Sequence, residues 1–514
     1  MWAQPTGYQE YYVLGYEEHV WRAFLAINDG SDYQIEAGQI CSTVSLVATA
    51  DYQVIYYDHW EDGYEADLLN PTQATTVVYG DGNVENGGSG DDILHAGDAI
   101  DFLSTQNVTG PDALNGYVPV NPYRNPTDLR YDGGDRIITS GGPVNLTHAM
   151  WPLDNSWVGG AWEVPSRQTY ATATSYRIPI GSDLYTFGGG DTGTYGDFRN
   201  VYLQLSAFED NTTVSIRQPS GEAINFTLDR GETYSSMGYI NSMTAPAIEI
   251  TVGTTVRASK PTQAGLITGA DGSFQGRFLT ILPDQLWGAD YVIPAPSGAS
   301  GQEAEIYLAN PNDFEITITA RDRFTQTTFS ISPTTYISAT IPYGPKRGGL
   351  LPAGSATRFT SPDGRFGVIV CANSSYANYD WGFAGMPAQY LSRDYYIPWA
   401  PGSYNTPPTE NGSPVWVTPL RDQTTFYVDF YRPSVGLDGV VDESFTLDVL
   451  EQRRIFDPDN DNTGMHIWAS GEFATAWGPD PLTAEPSVPY LDLGVGGLPV
   501  HHQWLELVLQ LEKT

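Results

Sequence analysis

Lysine is nearly missing from this chain of 514 residues: Lys260, Lys346 and Lys513 are the whole complement, and Lys plus Arg reach 24 against 61 Asp plus Glu. A nucleic-acid binder displaces condensed counterions with basic side chains, so a net charge of −37 argues against a phosphate backbone as partner. Anionic membrane surfaces are disfavoured on the same ground. Cysteine is also scarce. Cys41 and Cys371 alone exclude a disulfide scaffold and a cysteine-rich zinc module, leaving either one long-range bridge or two buried thiols. No apolar run is long enough to cross a bilayer, and the opening Met1-Trp2-Ala3-Gln4-Pro5 lacks the basic and apolar regions of a signal peptide. Absent too are a Gly-x-Ser-x-Gly elbow, a His-Glu-x-x-His helix and a phosphate-cradling lysine loop.

What is present is β-forming and repetitive. Aromatic residues make up 13% of the chain, with 33 Tyr and 13 Trp, enough to fill several cores, while 54 Gly and 36 Pro punctuate short strands. A Thr-Ser or Ala-Ser pair closes a strand-turn-strand pattern at Thr139-Ser140, Ala258-Ser259, Thr360-Ser361 and Ala469-Ser470. Tyr-x-Ile-Pro follows three of them, at Tyr176–Pro179, Tyr291–Pro294 and Tyr395–Pro398. A repeat of about 100 to 120 residues predicts an all-β array of tandem β-sandwich-like units; seven or eight strands per unit also suit two blades of a closed β-propeller. The expected divisions are an N-terminal β region with acidic loops over 1–166, β repeats over 167–286, 287–390 and 391–485, and a C-terminal linker and strand over 486–514. In the first region Arg22–Asn28 and Cys41–Asp58 read as strands. Ala48–Ile55 resembles a degenerate fifth signature, and Leu505, Leu507, Leu509 and Leu511 alternate along a final strand.

The densest chemistry is Asp58-His59-Trp60-Glu61-Asp62. Paired carboxylates beside aromatic rings suit acid and base work on a sugar; the same oxygens suit Ca²⁺, and the same run suits a solvated strand end. Gly87–His95 fits a Ca²⁺-binding nonapeptide through Asp92, and Asp101 echoes it one turn on. Asp457, Asp459 and Asp461 alternate before Gly464 as calcium loops do, though Ser470 stands where such a loop has its glutamate. A hairpin loop at 87–95 and a polar turn at 457–464 are the competing readings; Ca²⁺ is the one cofactor these loops could take, and no other is expected. Gly188–Gly193 lacks the strand and helix of a dinucleotide site, and His501-His502 lacks a third ligand. Asparagine acceptor triplets begin at Asn107, Asn145, Asn211, Asn225, Asn373 and Asn411.

Val256–Pro261, followed by Leu282–Pro294, resembles the repeating core of the N-terminal region of IgG Fc-binding protein and the head regions of large bacterial secreted or cell-surface proteins. Tyr56–Tyr64, Gly80–Gly82, Asp135–Pro143 and Trp477–Pro481 are similar to the bacterial group. The resemblance implies an extracellular, contact-making β repeat and transfers no Fc-contacting residue. The expectation is therefore an exported structural or adhesive surface or matrix protein, self-assembling or binding other surface proteins or glycans. The alternative is a carbohydrate-binding or carbohydrate-active secreted protein using the 58–62 cluster.

Overall fold

Short runs of alternating character become strands because every second side chain has an apolar layer to enter. Thr212–Arg217 illustrates it: Val214 and Ile216 are buried while Thr213 and Arg217 face solvent. In this computed structural model the described residues are 8–27, 39–107, 129–152, 159–184, 198–241, 243–269, 276–294, 304–332, 336–339, 355–372, 381–401, 413–432, 436–458, 461–479 and 495–496. They form four units.

The first unit has strands Gln9–Tyr12, Gln39–Ala48, Val54–Asp58, Val77–Tyr79, Ala99–Asn107, Arg136–Ser140, Val144–Pro152 and Gly160–Glu163. The second has Ser175–Arg177, Asn200–Ala207, Thr212–Arg217, Ala223–Leu228, Thr233–Ser235, Thr255–Ala258, Thr262–Gly269 and Arg277–Ile281, plus the short pair Tyr239–Ile240 and Met243–Thr244. The third has Asp290–Ile293, Glu305–Ala309, Ile316–Arg321, Gln326–Ile331, Tyr336–Ala339, Thr357–Thr360, Gly367–Ala372 and Trp381–Ala384. In each unit the first, sixth, third and fourth strands form one antiparallel layer, in that order, and the fifth, second, seventh and eighth form the other. The fourth unit keeps this order with Ser392–Tyr396, Val415–Pro419, Thr424–Asp429, Glu443–Leu447 and Arg453–Ile455. There His466–Trp477 serves as both sixth and seventh strands, and Val495–Gly496 pairs as the eighth. Twelve residues crossing both layers merge them into one seven-stranded sheet.

The chain crosses repeatedly between two layers, which makes each unit a sandwich. A propeller blade needs its four strands in a single sheet, so the propeller alternative is set aside. The four Thr-Ser or Ala-Ser pairs all lie where the sixth strand ends. Ala48–Ile55 instead joins second to third strand, the place Ala207–Thr212 occupies in the second unit, and is no fifth copy. Arg22–Ile27 belongs to the helix Glu17–Ile27, not to a strand. The acidic Glu18 lies in its first turn, and Val20, Trp21, Phe24 and Ile27 bury one side at helical spacing. A strand reading that starts at Arg22 misses the turn holding half of that pattern. Asn28 and Trp504–Glu512 lie outside the described residues.

The units close on one another. Trp162 of the first stacks on Phe278 of the second at 4.2 Å, and Phe198 of the second meets Tyr307 of the third edge-on at 4.9 Å. Trp381 of the third stacks on Trp416 of the fourth at 5.9 Å and donates its indole N–H to the Pro479 carbonyl. Trp399 of the fourth stacks on Trp151 of the first at 6.0 Å, beside a hydrogen bond from Ser45 Oγ to the Pro398 carbonyl. At the centre the four eighth strands touch in a circuit, with Glu163, Phe278, Phe383 and Gly496 around one small cavity. The array is a four-membered ring.

Candidate functional site

The third strand of the first unit ends at Asp58 and the sixth begins at Arg136, with Asp58 opposite Arg136 in register. Their pairing therefore brings the Asp58–Asp62 turn against the Tyr131–Asp135 turn. Asp58 Oδ2 accepts from Arg136 Nε at 3.0 Å and Nη2 at 2.6 Å, and from the Glu65 N–H at 3.1 Å. Burial pushes the Asp58 carboxyl up to about 6, although Arg136 pulls it down. Asp58 thus ties two strands together.

Asp135, a residue the sequence reading did not single out as a site, sits at the middle. Its Oδ1 accepts from the Trp60 N–H at 2.8 Å, and its Oδ2 from the Tyr57 hydroxyl at 2.6 Å and the Asp132 N–H at 3.1 Å. Gly134 beside it has φ +101°, and a Cβ there would lie 3.1 Å from the Trp60 ring. His59 Nδ1 donates to the Arg130 carbonyl at 2.6 Å and lies 3.7 Å from Asp135 Oδ2. Glu61 Oε1 accepts from the Arg130 N–H at 2.8 Å; Oε2 is buried with no hydrogen-bond partner among the described residues. Ligand atoms of His59, Glu61 and Asp135 all fall within 4.8 Å of one another.

Charge is concentrated here without solvent. His59 is 4% exposed, Glu61 1% and Asp135 0%. Burial would lower the His59 imidazole, but Asp135 and Glu61 more than reverse it and lift it to about 9. Glu61 is held far above the usual carboxylate range by burial and then by Asp135, and Glu17 is raised by burial too. A carboxylate pair flanking a glycosidic bond has to meet the sugar, whereas Asp58 and Glu61 face inward. The 58–62 run is no solvated strand end: Trp60 packs at 6% exposure and Thr75 Oγ1 donates to Asp62 Oδ2.

The other candidates lie elsewhere. Asp92 is buried, and its two oxygens accept the backbone N–H groups of Gly80, Asp81, Gly82 and Asn83 at 2.9 to 3.3 Å. Four backbone donors thus converge on this carboxylate, which organises the turn. A Cβ on Gly88 would fall 1.8 Å from Asp92 Oδ1. The glycines of the nonapeptide therefore pack a hairpin loop rather than a coil. Asp101 accepts from Ser45 Oγ, and Asp461 of the fourth unit is near enough for its charge to act on Asp101. The Asp457 N–H is held by Asn462 Oδ1 at 2.8 Å, and Asp461 Oδ1 accepts from the Thr463 N–H at 3.0 Å. Asp459, His501 and His502 lie outside the described residues. Cys41 is buried in the first unit and Cys371 in the third. The Asn145 amide is spent inside the fold, donating to the Tyr396 carbonyl, whereas Asn211 and Asn225 are exposed.

Two groupings escaped the sequence reading. Ser42 Oγ meets His148 Nε2 at 2.8 Å, but both residues are 0% exposed, and a nucleophile there has no substrate to attack. Half-buried rings of Tyr427, Trp468, His466 and Tyr396 stack across three strands of the fourth unit, at 5.6, 4.6 and 4.1 Å. Strict alternation at Trp468 and His466 is the signal that could have found them.

No protein-family model matches the chain, and no curated protein is similar to it.

Proposed function

We propose that this protein is an extracellular structural or adhesive β-repeat protein that acts through its outer surface, by contact with copies of itself, other proteins or glycans. The observation that carries the reading is where the acids go. Asp58, Glu61, Asp92 and Asp135 are turned inward to hold turns and strands, which leaves strand edges and loops as the available surface. In the second and third units the fourth strand lies at an edge of its layer with no further strand beside it among the described residues: Ala223–Leu228 shows Ala223, Asn225 and Thr227 to solvent, and Gln326–Ile331 shows Gln326, Thr328 and Ser330. Such edges pair with further strands unless they are blunted. The resemblance to the repeat region of IgG Fc-binding protein and bacterial surface heads agrees with export and contact.

Light scattering, electron microscopy and retention on immobilised proteins and glycans test this on the full chain. Concentration-dependent assembly or retention is expected, weakened by Thr328→Lys, which sets a charge on a free edge. Dispersed monomers that retain no partner would remove the basis of the reading. A second reading, sugar binding, is favoured by the Tyr427–Trp468–His466–Tyr396 ladder, whose outer ring faces could stack on a pyranose. In that case Trp468→Ala abolishes glycan retention while Thr328→Lys leaves it intact.

A further inference from the structure

We propose that His59, Glu61 and Asp135 form a structural site for one divalent transition-metal cation of the Zn²⁺ or Mn²⁺ class. The site would fasten the turn after the third strand of the first unit to the turn before the sixth.

Two observations point to a ligand. The three side chains come from separate segments, yet their ligand atoms gather within 4.8 Å in the interior. Independently, Glu61 Oε2 is buried with no hydrogen-bond donor among the described residues, and Glu61, only 1% exposed, is one of the gathered groups. A buried carboxylate oxygen without a donor is costly, and a cation removes that cost.

The surroundings suit a held ligand set. Tyr57, Trp60 and Asp132 fix the Asp135 carboxylate through three hydrogen bonds, and Oδ1, which accepts only one of them, keeps a lone pair. The Arg130 N–H orients Glu61 through Oε1. Partners of this kind, gripping the ligands from behind, are what metal sites use to set ligand direction. The imidazole decides the class of ion: Ca²⁺ takes six to eight oxygens, whereas one nitrogen with two carboxylates suits a smaller, softer cation. Binding displaces the Nδ1 proton, now donated to the Arg130 carbonyl at 2.6 Å, together with the proton held on the Glu61 carboxyl, and both leave to solvent. Nδ1 then gives its lone pair to the ion, with the Arg130 oxygen alongside as a further hard donor.

The competing occupant is the proton itself, retained on His59 and Glu61. The full chain, stripped with chelator and desalted, is offered Zn²⁺ or Ca²⁺; bound metal is read by elemental mass spectrometry and stability by calorimetry. The proposal expects one Zn²⁺ retained per chain and a raised Tm that Ca²⁺ does not match. Glu61→Gln and His59→Gln should retain no ion and lose the response. Co²⁺-loaded wild-type protein should show visible ligand-field bands of a nitrogen and oxygen site, absent from His59→Gln. Should either variant fail to fold, the wild-type stoichiometry and Co²⁺ spectrum still decide. No retained ion with an unmoved Tm overturns the proposal, as does equal stabilisation by Ca²⁺ or by Zn²⁺ in Glu61→Gln.

Discussion

Polar side chains do most of the locating in the first unit. Asp92 gathers four backbone N–H groups and Asp135 gathers three donors, each replacing water that a buried turn has lost. The clustered acids around Asp58 were legible in the sequence as chemistry, but their burial was not, because Arg136 and Asp135 reach them only after strand pairing. A pH dependence follows. In chelated protein His59, lifted to about 9, keeps a proton that the unfolded chain releases near its ordinary value of about 6.5. Its contribution is complete below the unfolded value and lost as pH rises through the folded one. Glu17 and Glu61 are also raised, so they add with the same sign: each binds its proton more tightly when folded. Urea unfolding at a series of pH values should show stability falling from about pH 4.5, the ordinary glutamate value, to about pH 9, with His59 adding to the slope above about pH 6.5. His59→Gln should flatten that slope, and a level wild-type profile would refute the assignment.

At the scale of elements, one tyrosine explains why the repeat marker exists. Tyr176 donates its hydroxyl to the Thr262 carbonyl, Tyr291 to Phe366 and Tyr395 to Phe473, so the first strand of each unit is bonded to the residue that begins the seventh strand or directly precedes it. Tyr11 makes the same bond to Val144 at 3.0 Å and supplies the marker of the first unit without its Ile-Pro. The serine of the other signature works similarly: Ser259 Oγ accepts from the Thr213 N–H and Ser470 Oγ from the Thr425 N–H, both at 2.9 Å, at the start of the third strand. Tyr291→Phe should destabilise the protein by about 1–3 kcal/mol, because the buried Phe366 carbonyl and Gly288 N–H both lose their partner. Denaturant unfolding measures this, and a loss too small to resolve would mean water takes the place of the hydroxyl. The strands of the later units were readable since period-two alternation is local. The helix Glu17–Ile27 was missed because its apolar side reveals itself only over three turns.

For the whole molecule, closure changes the energetics. Units in an open string contact only their neighbours in sequence and unfold nearly independently. Here the first and fourth units share a seam at Trp151 and Trp399, so opening any unit exposes two faces. Calorimetry should therefore record fewer transitions than four, and Trp399→Ala, costing about 3–5 kcal/mol by analogy with other aromatic truncations, should split them. Four resolved transitions in the unaltered chain would show that the seam contributes nothing. The one-dimensional message of this protein was its β character, the recurrence of a unit near 110 residues and its acidic balance, since propensity, period and net charge are properties of the chain before it folds. The tertiary structure alone decided the layer order, the meeting of first unit with fourth, and the assembly of His59, Glu61 and Asp135. Each of those depends on which distant strands pair, and the free energy that selects the pairing comes from surfaces that exist only once the chain has folded.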